Sequence, residues 1–122
     1  MLSFFFDSYA FYEIIVGNPS YMPFTKDTKI VTTQLNLMEM YYRILSLHDK
    51  KTALELFRRY AEFTIPVNND IIIEAMDFRK QNYKKDLSYV DCIGYTIAKK
   101  MNIQFLTGDR QFKDIPNVKF VK

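Results

Sequence analysis

Histidine and cysteine occur once each in the chain, at His48 and Cys92. A single cysteine excludes an internal disulfide and every cysteine-rich zinc site, and it suits a reducing compartment. A single histidine leaves a His-ligated zinc or a serine-histidine-aspartate triad without its parts. Long apolar runs are also lacking: Asp7 and Glu13 interrupt the N-terminal stretch, which has neither a basic leader nor a convincing cleavage site, so neither a signal peptide nor a membrane span is expected. The expected location is the cytoplasm. No repeat, low-complexity stretch or linker to a second domain is visible. What remains is a chain of 122 residues, 48% hydrophobic and 25% charged, the balance of one globular domain spanning 1–122 that buries a core.

The net charge of +3 is modest. Lys50, Lys51, Arg58 and Arg59 nevertheless share one helical segment, Arg79, Lys80, Lys84 and Lys85 close another, and Lys99 and Lys100 end a third. Basic side chains around an acidic focus suit a polyanion, whose phosphates need neutralising cations. Solvated helix faces explain them equally well.

Strand and helix signals alternate along the chain. Residues 2–6 read as a strand, and Ser8 to Val16 as a helix stopped by Gly17, Asn18 and Pro19. A loop with Pro19 and Pro23 follows, then a very short strand at Ile30 and Val31. From Thr33 to Leu47 the apolar positions Leu35, Met38, Tyr42 and Leu45 recur at helical spacing. Lys50 to Phe63 repeats the pattern with Leu54, Phe57 and Ala61. Thr64 to Val67 reads as extended, and Asn69 as the N-cap of a helix over Asp70 to Tyr83. A helix over Ser88 to Met101, a strand over Ile103 to Thr107 and a last strand over Val118 to Val121 complete the series. Strands separated by helices predict right-handed βαβ crossovers, an α/β class fold and a three-layer α/β/α arrangement around a mostly parallel sheet.

Four acids stand where these elements begin or end: Asp7, Glu39, Asp91 and Asp109. Asp7 and Asp109 follow short buried strands, and ligands of parallel α/β sheets bind outside the carboxyl ends of the strands. Neighbouring parallel strands would therefore bring both to one edge, close enough to share a cation. Each acid also has an ordinary reading. Asp7 and Asp109 suit helix or turn caps, Asp91 fits a capping box with Ser88, and Glu39 stands four residues before Arg43 in the order that favours a helical ion pair. Separate caps and pairs do not explain why all four would gather at one edge, whereas a cluster of carboxylates favours a bound divalent ion.

Phe6-Asp7-Ser8, Leu37-Met38-Glu39, Tyr89-Val90-Asp91-Cys92-Ile93 and Leu106-Thr107-Gly108-Asp109-Arg110-Gln111-Phe112 together resemble a PIN domain. The compact length resembles its VapC toxins. The likeness covers nearly the whole chain. Gln111 departs from the pattern, since many members carry a further acid there. The resemblance implies a ribonuclease dependent on Mg²⁺ or Mn²⁺, with Asp7, Glu39, Asp91 and Asp109 as catalytic and metal-binding acids and Ser8 and Thr107 as supporting hydroxyls. It also implies a cognate antitoxin that covers the acids. Oxygen-only ligands independently suit Mg²⁺ and Mn²⁺, in one or two copies.

Arg110 is readable as an RNA contact or as plain surface. Asp86 and Asp114 read as solvated loop acids, His48 as a helix-end residue and Cys92 as a buried small hydrophobe. The 11 Phe and 9 Tyr exceed what so small a core holds with ease, and with the segment Tyr21 to Phe24 they predict apolar surface and a homodimer. A phosphorelay receiver is disfavoured, because Ser8 stands where a second acid is wanted. A non-catalytic RNA- or protein-binding module, and an RNA-processing nuclease outside toxin-antitoxin systems, remain the alternatives.

Overall fold

Three consecutive phenylalanines set the layers in the computed structural model, which describes residues 1–122. They end strand β1 (Leu2–Phe6), where successive side chains point to opposite faces. Phe5 enters one apolar core with Val31 and Phe105, while Phe4 and Phe6 enter a second core with Leu106. β1 pairs in parallel with β2 (Thr28–Val31) on one side and β3 (Gln104–Thr107) on the other, and β3 pairs in parallel with β4 (Val118–Phe120). The order is β2-β1-β3-β4. Helices α1 (Ser8–Ile15), α2 (Gln34–Leu47) and α3 (Lys50–Tyr60) cover the Phe4 and Phe6 face. Helices α4 (Asn69–Gln81) and α5 (Tyr89–Lys100) cover the Phe5 face. This is the three-layer α/β/α fold, with every strand pairing parallel.

The inward face of α2 differs from the expected stripe. Leu37, Met40 and Ile44 are buried, whereas Met38, Tyr42 and Leu45 are exposed. Thr33 and Asn36, both buried, continue the true inward face toward the helix start. They bond each other, Thr33 Oγ1 donating to Asn36 Oδ1 at 2.7 Å, so the buried side looks polar in sequence and the outer side looks apolar.

The proline-bearing segment is also ordered differently. Residues Pro19–Thr25 form a 3-10 helix, capped by Asn18, whose Oδ1 accepts the Ser20 N–H at 3.0 Å. Its Tyr21 is fully buried and donates its hydroxyl to the Val121 carbonyl at 2.5 Å. Phe24 packs edge-on against Phe4 with ring centroids 5.3 Å apart. Tyr21 and Phe24 therefore pack inward, while Met22 and Pro23 between them stay exposed. β2 starts at Thr28 because Thr28 and Lys29 pair with Leu2 and Ser3 through their backbones, a role their polar side chains do not signal. The cap of α4 is Asn68, which accepts the Ile71 N–H at 2.9 Å; Asn69 is the first helical residue. α3 ends at Tyr60, and Ala61–Phe63 tighten into a 3-10 turn before Thr64 bridges to Thr32.

Candidate active site

The strand order alone brings two acids together. Asp7 directly follows β1 and Asp109 lies two residues past β3, and these strands are parallel neighbours, so both acids emerge at the carboxyl edge of the sheet. Glu39 reaches this edge from the second turn of α2, and Asp91 from the first turn of α5. All four line one cavity of about 330 Å³ together with Ser8 and Ser88. Asp7 is buried and the other three are half-buried.

Three of the acids are also caps. Asp7 Oδ1 accepts the Ala10 N–H at 2.7 Å and so starts α1. Asp91 Oδ2 accepts the Ser88 N–H at 3.1 Å while Ser88 Oγ accepts the Asp91 N–H at 3.0 Å, a reciprocal capping box. Asp109 Oδ1 accepts the Gln111 N–H at 2.9 Å. Capping and lining the cavity are compatible, because a carboxylate has two oxygens and a cap takes only one. Glu39 is different. It accepts the Ser8 hydroxyl at 2.5 Å, and the Arg43 guanidinium lies 4.1 Å over the Tyr12 ring. The Glu39 to Arg43 ion pair suggested by their spacing does not form; the ion pair present is Lys100 with Glu74.

The charge state of the cleft follows from this crowding. Burial, above all, pushes the Asp7 carboxyl up to about 8; Asp91 and Asp109 add repulsion, against lowering hydrogen bonds from Thr107 and the Ala10 N–H. Burial likewise raises Asp91 to about 6, opposed by its Ser88 bonds and reinforced by Asp109 and Glu39. Thr107 is fully buried and its hydroxyl accepts the Asp109 N–H at 3.1 Å.

The donor set fits a hard divalent cation. The four acids offer carboxylate oxygens with no nitrogen or sulfur, and Ser8 adds a hydroxyl. No three of the chain's acidic, histidine or cysteine side chains lie close enough together to hold one metal ion between them.

Gly108 is required by its surroundings, since a Cβ there would run into the Tyr9 ring and the Val121 carbonyl. Gln111, the departure from the acidic pattern, accepts the Asp86 N–H at 3.0 Å and so orders a neighbouring loop. Asp86, Asp114 and Arg110 do not line the cavity. Cys92 is buried among apolar side chains, as its sequence context suggests. Tyr9, Met40 and Arg43 do line the cavity. Only Arg43 carried a sequence signal, standing one helical turn beyond Glu39.

Fold and cavity together define a parallel three-layer α/β protein with an acidic, all-oxygen cleft at the carboxyl edge of its sheet. The chain belongs to the PIN domain family, which it matches over residues 4–118. No curated protein matches the sequence. Among solved structures it is similar to VapC20 from Mycobacterium tuberculosis, a toxin that cleaves the sarcin-ricin loop, at 16% identity and a TM-score of 0.82 over 98% of this chain and 99% of that one. It is also similar to a chain of VapBC2 from Rickettsia felis bound to a promoter DNA fragment, at 16% identity and a TM-score of 0.74 over 99% and 100%. A toxin-antitoxin complex from Klebsiella pneumoniae resembles it at 17% identity and a TM-score of 0.74 over 94% of each chain.

Proposed function

We propose that the protein is a Mg²⁺- or Mn²⁺-dependent endoribonuclease, the toxin of a type II toxin-antitoxin pair. The observation that carries this reading is the meeting of Asp7, Glu39, Asp91 and Asp109 in one cleft of a PIN-family chain. A divalent ion bound there would lower the pKa of water and offset charge on the scissile phosphate. Asp7, buried and raised to about 8, gives up its proton as the cation is taken up. Asp91 and Asp109 each keep one oxygen on a backbone N–H, which fixes the direction of the other. Ser8 holds Glu39, and the Thr107 hydroxyl holds the Asp109 backbone.

No helix is long and apolar enough to cross a membrane, and the reading puts the protein in the cytoplasm with RNA as substrate. Two protein partners belong to it, a cognate antitoxin and a second copy. The exposed stripe Met38, Tyr42 and Leu45 on α2 and the exposed Ile72 and Ile73 on α4 supply apolar surface for them. A cationic side chain of the antitoxin entering the cleft would compete with the metal for the same carboxylates.

The test is cleavage of single-stranded RNA in Mg²⁺ or Mn²⁺ by the wild type and by Asp7→Asn and Asp91→Asn. Loss of cleavage in both variants, with the fold intact by circular dichroism, is expected. Activity that survives in them and resists EDTA would reject the assignment, and an inert wild type that still binds RNA would favour a binding module.

A further inference from the structure

Arg43 is the one cation that lines the cleft, among four carboxylates, yet it pairs with none of them. Its partner by helical spacing, Glu39, is engaged by Ser8. The guanidinium instead lies 4.1 Å over the ring of Tyr12, which projects from α1. Arg43 is exposed, and none of the protein's side-chain hydrogen bonds involves it.

A guanidinium held by its face keeps its edge. Stacking on an aromatic ring uses the π surface of the group, while its five N–H donors lie in the plane and stay available for a bidentate acceptor. Such a fork matches the paired oxygens of a phosphate. The electrostatics favour this role over a simple brace between α1 and α2. A polyanion that approaches four carboxylates is repelled, and a cation at the same opening both attracts it and fixes its register. Carboxylates and an unpaired arginine therefore divide the labour, the acids serving a metal and the arginine serving the substrate backbone.

We propose that Arg43 binds a backbone phosphate of single-stranded RNA at the acidic cleft, and that Tyr12 is the positioning residue that holds its guanidinium. The proposal deepens the ribonuclease reading and rests on it for the identity of the strand.

The experiment measures binding of a fluorescein-labelled single-stranded RNA oligonucleotide by anisotropy, in Mg²⁺ and across a salt series. It uses the full chain carrying Asp7→Asn so that the RNA is not consumed. Arg43→Gln should weaken binding about tenfold, the order of one charge-assisted bidentate contact. It should also reduce the salt slope by roughly 0.7, the release from one single-strand phosphate. Arg43→Lys should keep most of the salt slope but recover only part of the affinity, because a point charge lacks the fork. Tyr12→Phe, which retains the ring face, should bind like the parent, and Tyr12→Leu should lose affinity. In the chain without Asp7→Asn, Arg43→Gln should raise KM more than it lowers kcat. Unchanged affinity and salt slope in Arg43→Gln, with only a lower Tm, would overturn the proposal and leave the nuclease reading intact. RNA bound through Arg43 but never cleaved by the wild type would overturn the nuclease reading and leave the phosphate role. An oligonucleotide that the parent does not bind at all would overturn both.

Discussion

Ser8 donates its hydroxyl to Glu39 Oε1 at 2.5 Å, joining the residue after Asp7 to the second turn of α2 across 31 positions of sequence. The bond leaves Glu39 a preferred orientation without an arginine partner. Ser8→Ala is therefore expected to weaken Mn²⁺ binding by about tenfold, the usual consequence of removing a group that orients a metal ligand. Calorimetric titration of the purified protein checks this. Ser8→Thr, which retains a hydroxyl, should recover much of the loss, and equal affinity in Ser8→Ala and wild type would show that the bond does not orient Glu39.

The buried Asp7 gives the metal-free protein an unusual dependence on pH. Its folded carboxyl is raised from 3.8 to about 8, so the folded state binds its proton more tightly than the unfolded state does. That contribution to stability is complete below pH 3.8 and is lost as pH rises toward 8, at roughly tenfold in the folding equilibrium per pH unit within the window. Asp91, raised to about 6, acts in the same direction over the lower part. Urea titrations in EDTA should thus show lower stability at pH 8 than at pH 5, and Asp7→Asn should flatten the trend. An equally steep trend in that variant would place the titrating group elsewhere.

Uptake of the cation should release protons for the same reason. At pH 7 Asp7 is largely protonated in the metal-free protein, and a divalent ion favours its charged form. Titrations with Mn²⁺ in buffers of different ionisation enthalpy should give apparent enthalpies that diverge by close to one released proton in wild type and by much less in Asp7→Asn. Buffer-independent enthalpies in the wild type would contradict the assignment.

α5 lies flush on the sheet at Gly94, where a Cβ would meet Phe5 Cε1 at 2.6 Å and Phe105 Cε1 at 3.0 Å. These rings are fully buried and stacked on each other, with little room to yield. Gly94→Ala is expected to cost about 1–3 kcal/mol, as overpacking of a filled core does. It should also lower RNA cleavage, because Asp91 rides on the same helix. Chemical denaturation and cleavage rates measure the two effects, and a variant as stable as wild type would mean that the rings move aside.

Association is testable by sedimentation at micromolar concentration. A homodimer is expected, and a profile that stays monomeric would argue against a second copy on these apolar faces. RNA cleavage should fall as cognate antitoxin is titrated in, whereas full activity in the saturated complex would reject a partner that covers the cleft.

The layers and the acids were legible in the sequence because strong local signals marked them. Phe4-Phe5-Phe6 before Asp7 and Phe105-Leu106 before Thr107-Gly108-Asp109 announce buried strands with acids at their ends. The inward face of α2 was not legible, since the bond from Thr33 to Asn36 forms only in three dimensions and hides a buried side behind polar residues. Arg43 misled for a related reason. Helical spacing assigns it to Glu39, but Ser8 and Tyr12 come from α1, and only their arrival on α2 decides between competing partners. Tyr21 was likewise indistinguishable from surface until the distant Val121 carbonyl gave its hydroxyl an acceptor.

The central place of β1 has a consequence in time. Its partner β2 ends at Val31, but its other partner, β3, comes after all five α-helices. A chain emerging from a ribosome therefore displays Asp7, Glu39 and Asp91 before the strand that delivers Thr107 and Asp109 exists. Until then β1 is an open edge. The edge of β1 thus stays unpaired, and the cleft lacks Asp109, until the last fifth of the chain is in place.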